Sequence, residues 1–178
     1  KKEFFTKVTS AEPTRMHKFI SFLEKMGKDV LVVTQNIDML HKKAGNSNVI
    51  EIHGSIATSH CLECGQEFSF EEVKEMLKEV IVPRCNNCGG LIKPDVVFFG
   101  EPVKGLDKAF FEAQKRDLML ILGSSLAVAP VSMIPSYFTG EIVTINRGSL
   151  ANLVHSNIYL DMDLEKAAEY FSEHFHSF

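Results

Sequence analysis

No stretch of this 178-residue chain is long and apolar enough to cross a bilayer. Its longest wholly apolar run is Leu118 to Leu122, against the roughly 20 residues a spanning helix needs. The opening, Lys1-Lys2-Glu3-Phe4-Phe5, lacks the charged, apolar and small-residue regions of a secretory signal. Together these absences point to a soluble, cytoplasmic protein with no membrane partner. Lys and Arg are nowhere concentrated and the formal net charge is -4, so the clustered cations that neutralise phosphates are missing and direct nucleic-acid binding is not expected. Internal repeats, low-complexity tracts and flexible linkers are absent. No Met stands at position 1 and the opening resembles the middle of a helix, so the sequence is expected to be a piece of a longer protein. Cysteine is absent outside two pairs, which leaves no thiol for a larger disulfide scaffold.

Those pairs are Cys61-x-x-Cys64 and Cys85-x-x-Cys88. Each two-residue spacer turns the backbone so that its sulfurs converge, and tetrahedral zinc takes four thiolates at about 2.3 Å. A structural zinc ion is the main expectation. A thiol redox pair and two disulfides are the alternatives, although nothing in the chain suggests an oxidising compartment. Four sulfurs close the shell, so the metal is expected to hold structure and catalysis to lie elsewhere.

With 45% hydrophobic residues the chain can bury an ordinary core, with room for one small insert. Met16, Phe19, Ile20, Leu23 and Met26 recur at helical spacing before Gly27 and predict a helix over 14–26. Val30–Val33, Leu118–Leu122 and Ile142–Ile145 are short apolar runs of the kind buried on both faces of a parallel sheet. Leu106, Ala109, Phe110 and Ala113 mark another helix, and Leu164, Ala167, Ala168 and Phe171 the last; Pro130 and Pro135 limit the intervening segment to short helical pieces. Strands alternating with helices predict a doubly wound α/β fold. It is formed by 1–54 and 97–178 and interrupted by a cysteine-bearing insert over 55–96. Within the insert, two knuckles are joined by a helix from Glu71 to about Glu79, and Ser69 with Glu72 makes a capping-box pattern at its start.

Open α/β sheets bind ligands at the carboxyl edge of their strands. Thr34-Gln35-Asn36-Ile37-Asp38 follows the first predicted strand, Gly123-Ser124-Ser125 the second, and Asn146 the third. Polar residues after strands are usually turn formers, but three such ends on one rim suit a nucleotide-like ligand. His53-Gly54 closes the short apolar segment Val49–Ile52 just before the insert, which raises His53 above the other six histidines. His60 adjoins Cys61 but finds the metal shell already full, and His174 and His176 fall in a frayed tail. Lys93-Pro94-Asp95-Val96-Val97-Phe98-Phe99-Gly100-Glu101 is extended and apolar. It is either a buried strand or an edge that pairs with an extended peptide.

Taken in order, Thr34-Gln35-Asn36-Ile37-Asp38, His53-Gly54, the two Cys-x-x-Cys pairs, Val96-Val97-Phe98-Phe99-Gly100-Glu101, Gly123-Ser124-Ser125 and Ile145-Asn146 resemble the sirtuins, NAD-dependent protein lysine deacylases. The resemblance implies a Rossmann-like doubly wound parallel sheet with a four-cysteine zinc ribbon inserted, and NAD as the rim ligand. It implies His53 as the base acting on the nicotinamide ribose hydroxyls, with Asn36 and Asp38 orienting ribose and water and Gln35 contacting the ribose. Gly123, Ser124 and Ser125 would hold the adenosine side, near Asn146, Arg147, Asp163 and Leu164. Val97 and Phe99 would line an acyl-lysine tunnel with Val128 at its floor, and the backbone of Val97, Phe98, Phe99, Gly100 and Glu101 would pair with an acylated protein or peptide. The amide oxygen of the acyl-lysine would displace nicotinamide, and His53 would then help a ribose hydroxyl attack the resulting imidate. Sirtuins begin with a strand and a Gly-rich pyrophosphate turn that do not occur here, so the sheet is expected to be incomplete at its amino-terminal side. Alternatives implied by the same residues are a non-catalytic, zinc-stabilised acyl-lysine reader and a mono-ADP-ribosyltransferase.

Overall fold

A computed structural model describes residues 8, 10–148 and 155–175. Thr14 caps helix α1 (Arg15–Lys25) by accepting a hydrogen bond from the His17 amide, and Met26 ends it. The helical spacing of Met16, Phe19 and Ile20 turns all three into the core, where the Phe19 ring stacks on Phe171 with centroids 4.7 Å apart. Phe171 belongs to the last helix, α5 (Leu164–His174), whose start is capped by Asp163.

The parallel strands fall into two hydrogen-bonded groups. β1 (Val32–Thr34) pairs with β2 (Val49–Glu51), and β6 (Leu118–Leu122), β7 (Glu141–Asn146) and β8 (Ile158–Asp161) pair in sequence order. Alternation of side chains along each strand makes the two groups one layer. Val33, Ile50, Met119, Ile121 and Ile142 pack on one side with Ala109 and Ala113 of α4 (Leu106–Ala113) and Ile134 of a 3₁₀ helix, Val131–Tyr137. Val32, Leu120, Leu122 and Ile145 pack on the other with α1 and α5. Helices thus cover both faces of a doubly wound α/β layer. Among the described residues no ladder joins the β1-β2 pair to the β6-β7-β8 group.

Several boundaries differ from expectation. The first strand runs Val32–Thr34 rather than Val30–Val33, because its partner β2 begins at Val49 opposite Val32. Leu118, expected to be buried, is 52% exposed at the strand entrance. Helix α2 (Leu40–Ala44) and strand β8 carry no periodic apolar signal, and the sequence pattern does not predict them.

Between β2 and α4 lies an antiparallel sheet in the order β4-β3-β5, made of β3 (Gly54–Cys61), β4 (Glu67–Ser69) and β5 (Ile92–Val96). Helix α3 (Phe70–Glu79) packs Val73 and Leu77 against Phe68, Ile92, Cys61 and Cys85. Its capping box is complete: the Glu72 amide donates to Ser69 Oγ at 3.3 Å and the Ser69 amide to Glu72 Oε2 at 2.7 Å. The extended stretch ends at Val96; Phe98–Glu101 is a turn instead, with Gly100 at φ +88°. No helix among the described residues is long and apolar enough to cross a membrane.

Candidate functional site

The four Sγ atoms of Cys61, Cys64, Cys85 and Cys88 lie within 4.8 Å of one another. Cys61–Cys88 measures 3.4 Å and Cys64–Cys85 3.7 Å, close to the ~3.8 Å edge of a tetrahedron with ~2.3 Å arms. The Cys64 amide, against the opposing pull of burial, lowers the Cys61 thiol to about 6. The Gly90 amide also favours a Cys88 thiolate, but the neighbouring sulfurs outweigh it and push Cys88 up to about 12. Four sulfurs so close cannot all ionise without a cation between them, and the donor set fits one zinc ion. His60 is not a ligand. Its Nδ1 sits 2.8 Å from Asp95 Oδ1 and its Nε2 3.3 Å from Glu67 Oε2. Burial pushes the Asp95 carboxyl up, but hydrogen bonds from Thr58 and His60 hold it below its ordinary value.

His53 is the junction of three separate segments. Its Nδ1 lies 3.2 Å from the Gln35 carbonyl oxygen, and its own carbonyl accepts the Val97 amide at 2.8 Å. An imidazole nitrogen facing a carbonyl must carry the proton, so Nε2 is left with the free lone pair. Gly54 permits this junction. It sits at φ +73°, and a Cβ there would stand 1.8 Å from the Asp95 carbonyl oxygen, so β5 can cross this close only over glycine.

The loop after β1 is held locally. Thr34 Oγ1 accepts the Asn36 amide and Asp38 Oδ1 the Leu40 amide, which starts α2; Asn36 is exposed and Gln35 and Asp38 are half-buried. A second group forms where β6, β7 and β8 end. The Gly123 amide donates to Ile145 O at 2.9 Å and Gly123 faces Leu164, while Arg147 pairs with Asp163 at 3.2 Å. Asn146 is buried and its amide nitrogen donates to the Gly148 carbonyl, and Ser124 Oγ accepts the Leu126 amide.

A family-level comparison matches residues 2–130 to the Sir2 family. The chain belongs to the Sir2 family. An NAD-dependent protein deacetylase 2 from Caldanaerobacter subterraneus subsp. tengcongensis is 45% identical over 143 residues, covering 79% of this chain and 57% of that protein. An NAD-dependent protein deacetylase from Sulfolobus acidocaldarius is 48% identical over 126 residues, covering 70% and 50%. The chain thus spans about half the length of these Sir2 relatives. Among solved structures, one of Sir2 bound to acetylated peptide superposes with a TM-score of 0.88 at 33% identity, covering 95% of this chain and 73% of that one.

Of the residues a Sir2 resemblance nominated, His53 bonds directly to Gln35 and to Val97, and Gly123, Asn146, Arg147, Asp163 and Leu164 gather at the second rim. Ser125, Phe98, Phe99 and Val128 are exposed. A recess of about 260 Å³ behind Gly54 is lined by Glu51, Thr58, Asp95 and Lys104, away from the nominated cofactor residues. His174 bonds the Tyr170 carbonyl, and His176 lies outside the described residues.

One pair near the rim has no signature in the sequence. His17 of α1 and His41 of α2 approach with ring centroids 4.5 Å apart, and the Asp38 carboxylate acts on both. Burial lowers both pKa values from 6.5; Asp38 and Glu165 pull His17 the other way, as do Asp38, Asn46 and Glu51 for His41. The unfolded chain therefore takes up protons first as pH falls through 6.5, and stability drops with acidification down to the folded pKa values. Carboxylates held low, such as Glu24 and Glu72, lose their contribution only below about their ordinary 4.5. A urea midpoint measured from about pH 7 to about pH 5 is expected to fall in the unaltered chain. It should stay flatter in a His17→Gln, His41→Gln double variant.

Proposed function

We propose that this chain carries the base and the peptide-facing edge of an NAD-dependent protein lysine deacylase, which passes the acyl group of acyl-lysine to ADP-ribose and releases nicotinamide. The carrying observation is His53, tied through Nδ1 to Gln35 and through its carbonyl to Val97. One imidazole is thereby fixed between the rim that would take a ribose and the segment that would take a peptide. The Sir2 relatives whose names specify NAD-dependent protein deacetylation support the assignment.

NAD supplies an anomeric carbon from which nicotinamide can be displaced by an amide oxygen. The work of the chain is positioning. His53 Nε2 accepts a proton from a ribose hydroxyl; Gln35, Asn36 and Asp38 orient that ribose and a water; Gly123, Ser124, Ser125, Asn146, Arg147, Asp163 and Leu164 take the adenosine side. Val97, Phe98, Phe99, Gly100, Glu101 and Val128 receive the acyl-lysine segment. The thiolate-held zinc braces β3 and β5 and takes no part in proton transfer, because a four-sulfur shell has no open position. Residues 1–54 and 97–178 form the α/β unit and 55–96 the insert.

The test is nicotinamide release by the natural protein given NAD and an acetyl-lysine peptide. Release that requires the acetylated peptide and matches deacetylated product one for one is expected. Peptide binding without release, or label from NAD appearing on protein, would overturn the assignment.

A further inference from the structure

One lysine is built into the turn that follows β5 in a way that neither the zinc site nor His53 requires. Lys93 lies on β5, and its side chain is only 26% exposed. Its ammonium donates to the Val96 carbonyl at 3.0 Å and to Glu101 Oε2 at 3.1 Å, and stands 4.7 Å from the centroid of the Phe98 ring. Glu101 Oε2 in turn accepts the Phe98 amide at 3.0 Å, and the Glu101 amide closes the turn on the Phe98 carbonyl at 3.0 Å. Gly100, at φ +88°, supplies the positive φ that a turn of this hand needs at its third residue. The Phe98 amide, and then Lys93, hold the Glu101 carboxyl below its ordinary value. A single cation thus satisfies a strand-end carbonyl, a carboxylate and an aromatic face, and closes the loop between the end of β5 and the turn.

We propose that Lys93 is a positioning residue that sets the shape of the Phe98–Glu101 turn for capture of an acyl-lysine peptide. This rests on the assignment of Val97–Glu101 as the peptide-facing edge. The turn presents Phe99 fully exposed at its tip, and the Val97 amide is already engaged by His53. Peptide is therefore received by a turn whose backbone is prearranged, and prearrangement lowers the ordering cost of binding. Without the ammonium, the Glu101 carboxylate loses its ion-pair partner and keeps only the longer-range pull of Lys104, the Phe98 ring loses its cation, and the turn loses this tie to the strand.

Amide hydrogen exchange and anisotropy of a fluorescent acetyl-lysine peptide, both on the 178-residue chain, test this with Lys93→Met and Lys93→Arg. Lys93→Met is expected to speed exchange at Phe98 and Glu101 and to weaken the peptide by about three- to tenfold, the range of a part-exposed ion pair with added contacts. Lys93→Arg restores most of both. In the natural protein the loss appears in KM for the peptide, with KM for NAD and kcat unchanged. Unchanged exchange, or faster exchange with unchanged peptide affinity, would overturn the proposal. Failure of the unaltered chain to bind the peptide would overturn the peptide assignment instead, and the exchange comparison would still decide whether Lys93 clamps the turn.

Discussion

Cys61→Ser is expected to release the metal and to unfold the segment from β3 to β5, while α1 and α5 keep their packing. The segment's own core consists of Phe68, Val73, Leu77 and Ile92 beside two of the thiols. At roughly 1.5–3 kcal/mol for each buried side chain, that is too little for a piece of about 40 residues, a size at which metals or disulfides are usually needed. The capping box at Ser69 and the Glu71–Lys74 and Glu75–Lys78 pairs add only about 1 kcal/mol and a few tenths respectively. Structural zinc contributes about 10–16 kcal/mol on binding, so the metal decides whether the segment folds. Metal content by atomic emission should fall from one ion to none, and exchange protection should vanish across β3 and β5. Chelation of the unaltered chain should reproduce both effects. Unchanged metal content together with unchanged melting would refute the assignment.

His53→Ala is expected to leave metal content and melting as they were and to lower the proposed deacylation by about 10²–10⁴, the usual contribution of a positioned general base. The separation of effects follows from the geometry. The backbone bond from Val97 to the residue 53 carbonyl survives the substitution, and among the described residues the side-chain bond lost is the one from Nδ1 to Gln35. Peptide affinity, which depends on the segment beyond Val97, should change little. Turnover near that of the unaltered protein would remove His53 from the mechanism.

Much of this arrangement is legible in the chain because its signals are local. Two Cys-x-x-Cys pairs, a Ser69–Glu72 cap and the helical spacing from Met16 to Leu23 each join residues close together in the chain and appear where expected. Features set by pairing between distant residues are not. The register of β1 depends on Val49, and Val30-Leu31 reads as strand although the ladder among the described residues starts only at Val32. The turn at Phe98–Glu101 reads as extended chain because four consecutive apolar residues, Val96 to Phe99, mask the glycine that ends the strand. The ring contact between His17 and His41 joins residues 24 positions apart, and the Lys93 clamp ends on groups that only the folded turn brings within reach. For His53 the sequence offers a good address but no neighbours; Gln35 and Val97 become its partners only through the crossing at Gly54.

That crossing bears on how the molecule can move. The metal-bearing segment leaves the α/β body at Gly54 and returns at Val96, and these two residues are partners in the same ladder. A lobe tethered by two adjacent, paired strands swings about one axis, like a door on a single pin, and cannot rotate freely as it would on a separate linker. The imidazole of His53 and the amide of Val97 flank that pin. Motion of the lobe in either direction therefore carries its far end over a wide arc while the two groups at the pivot hardly shift.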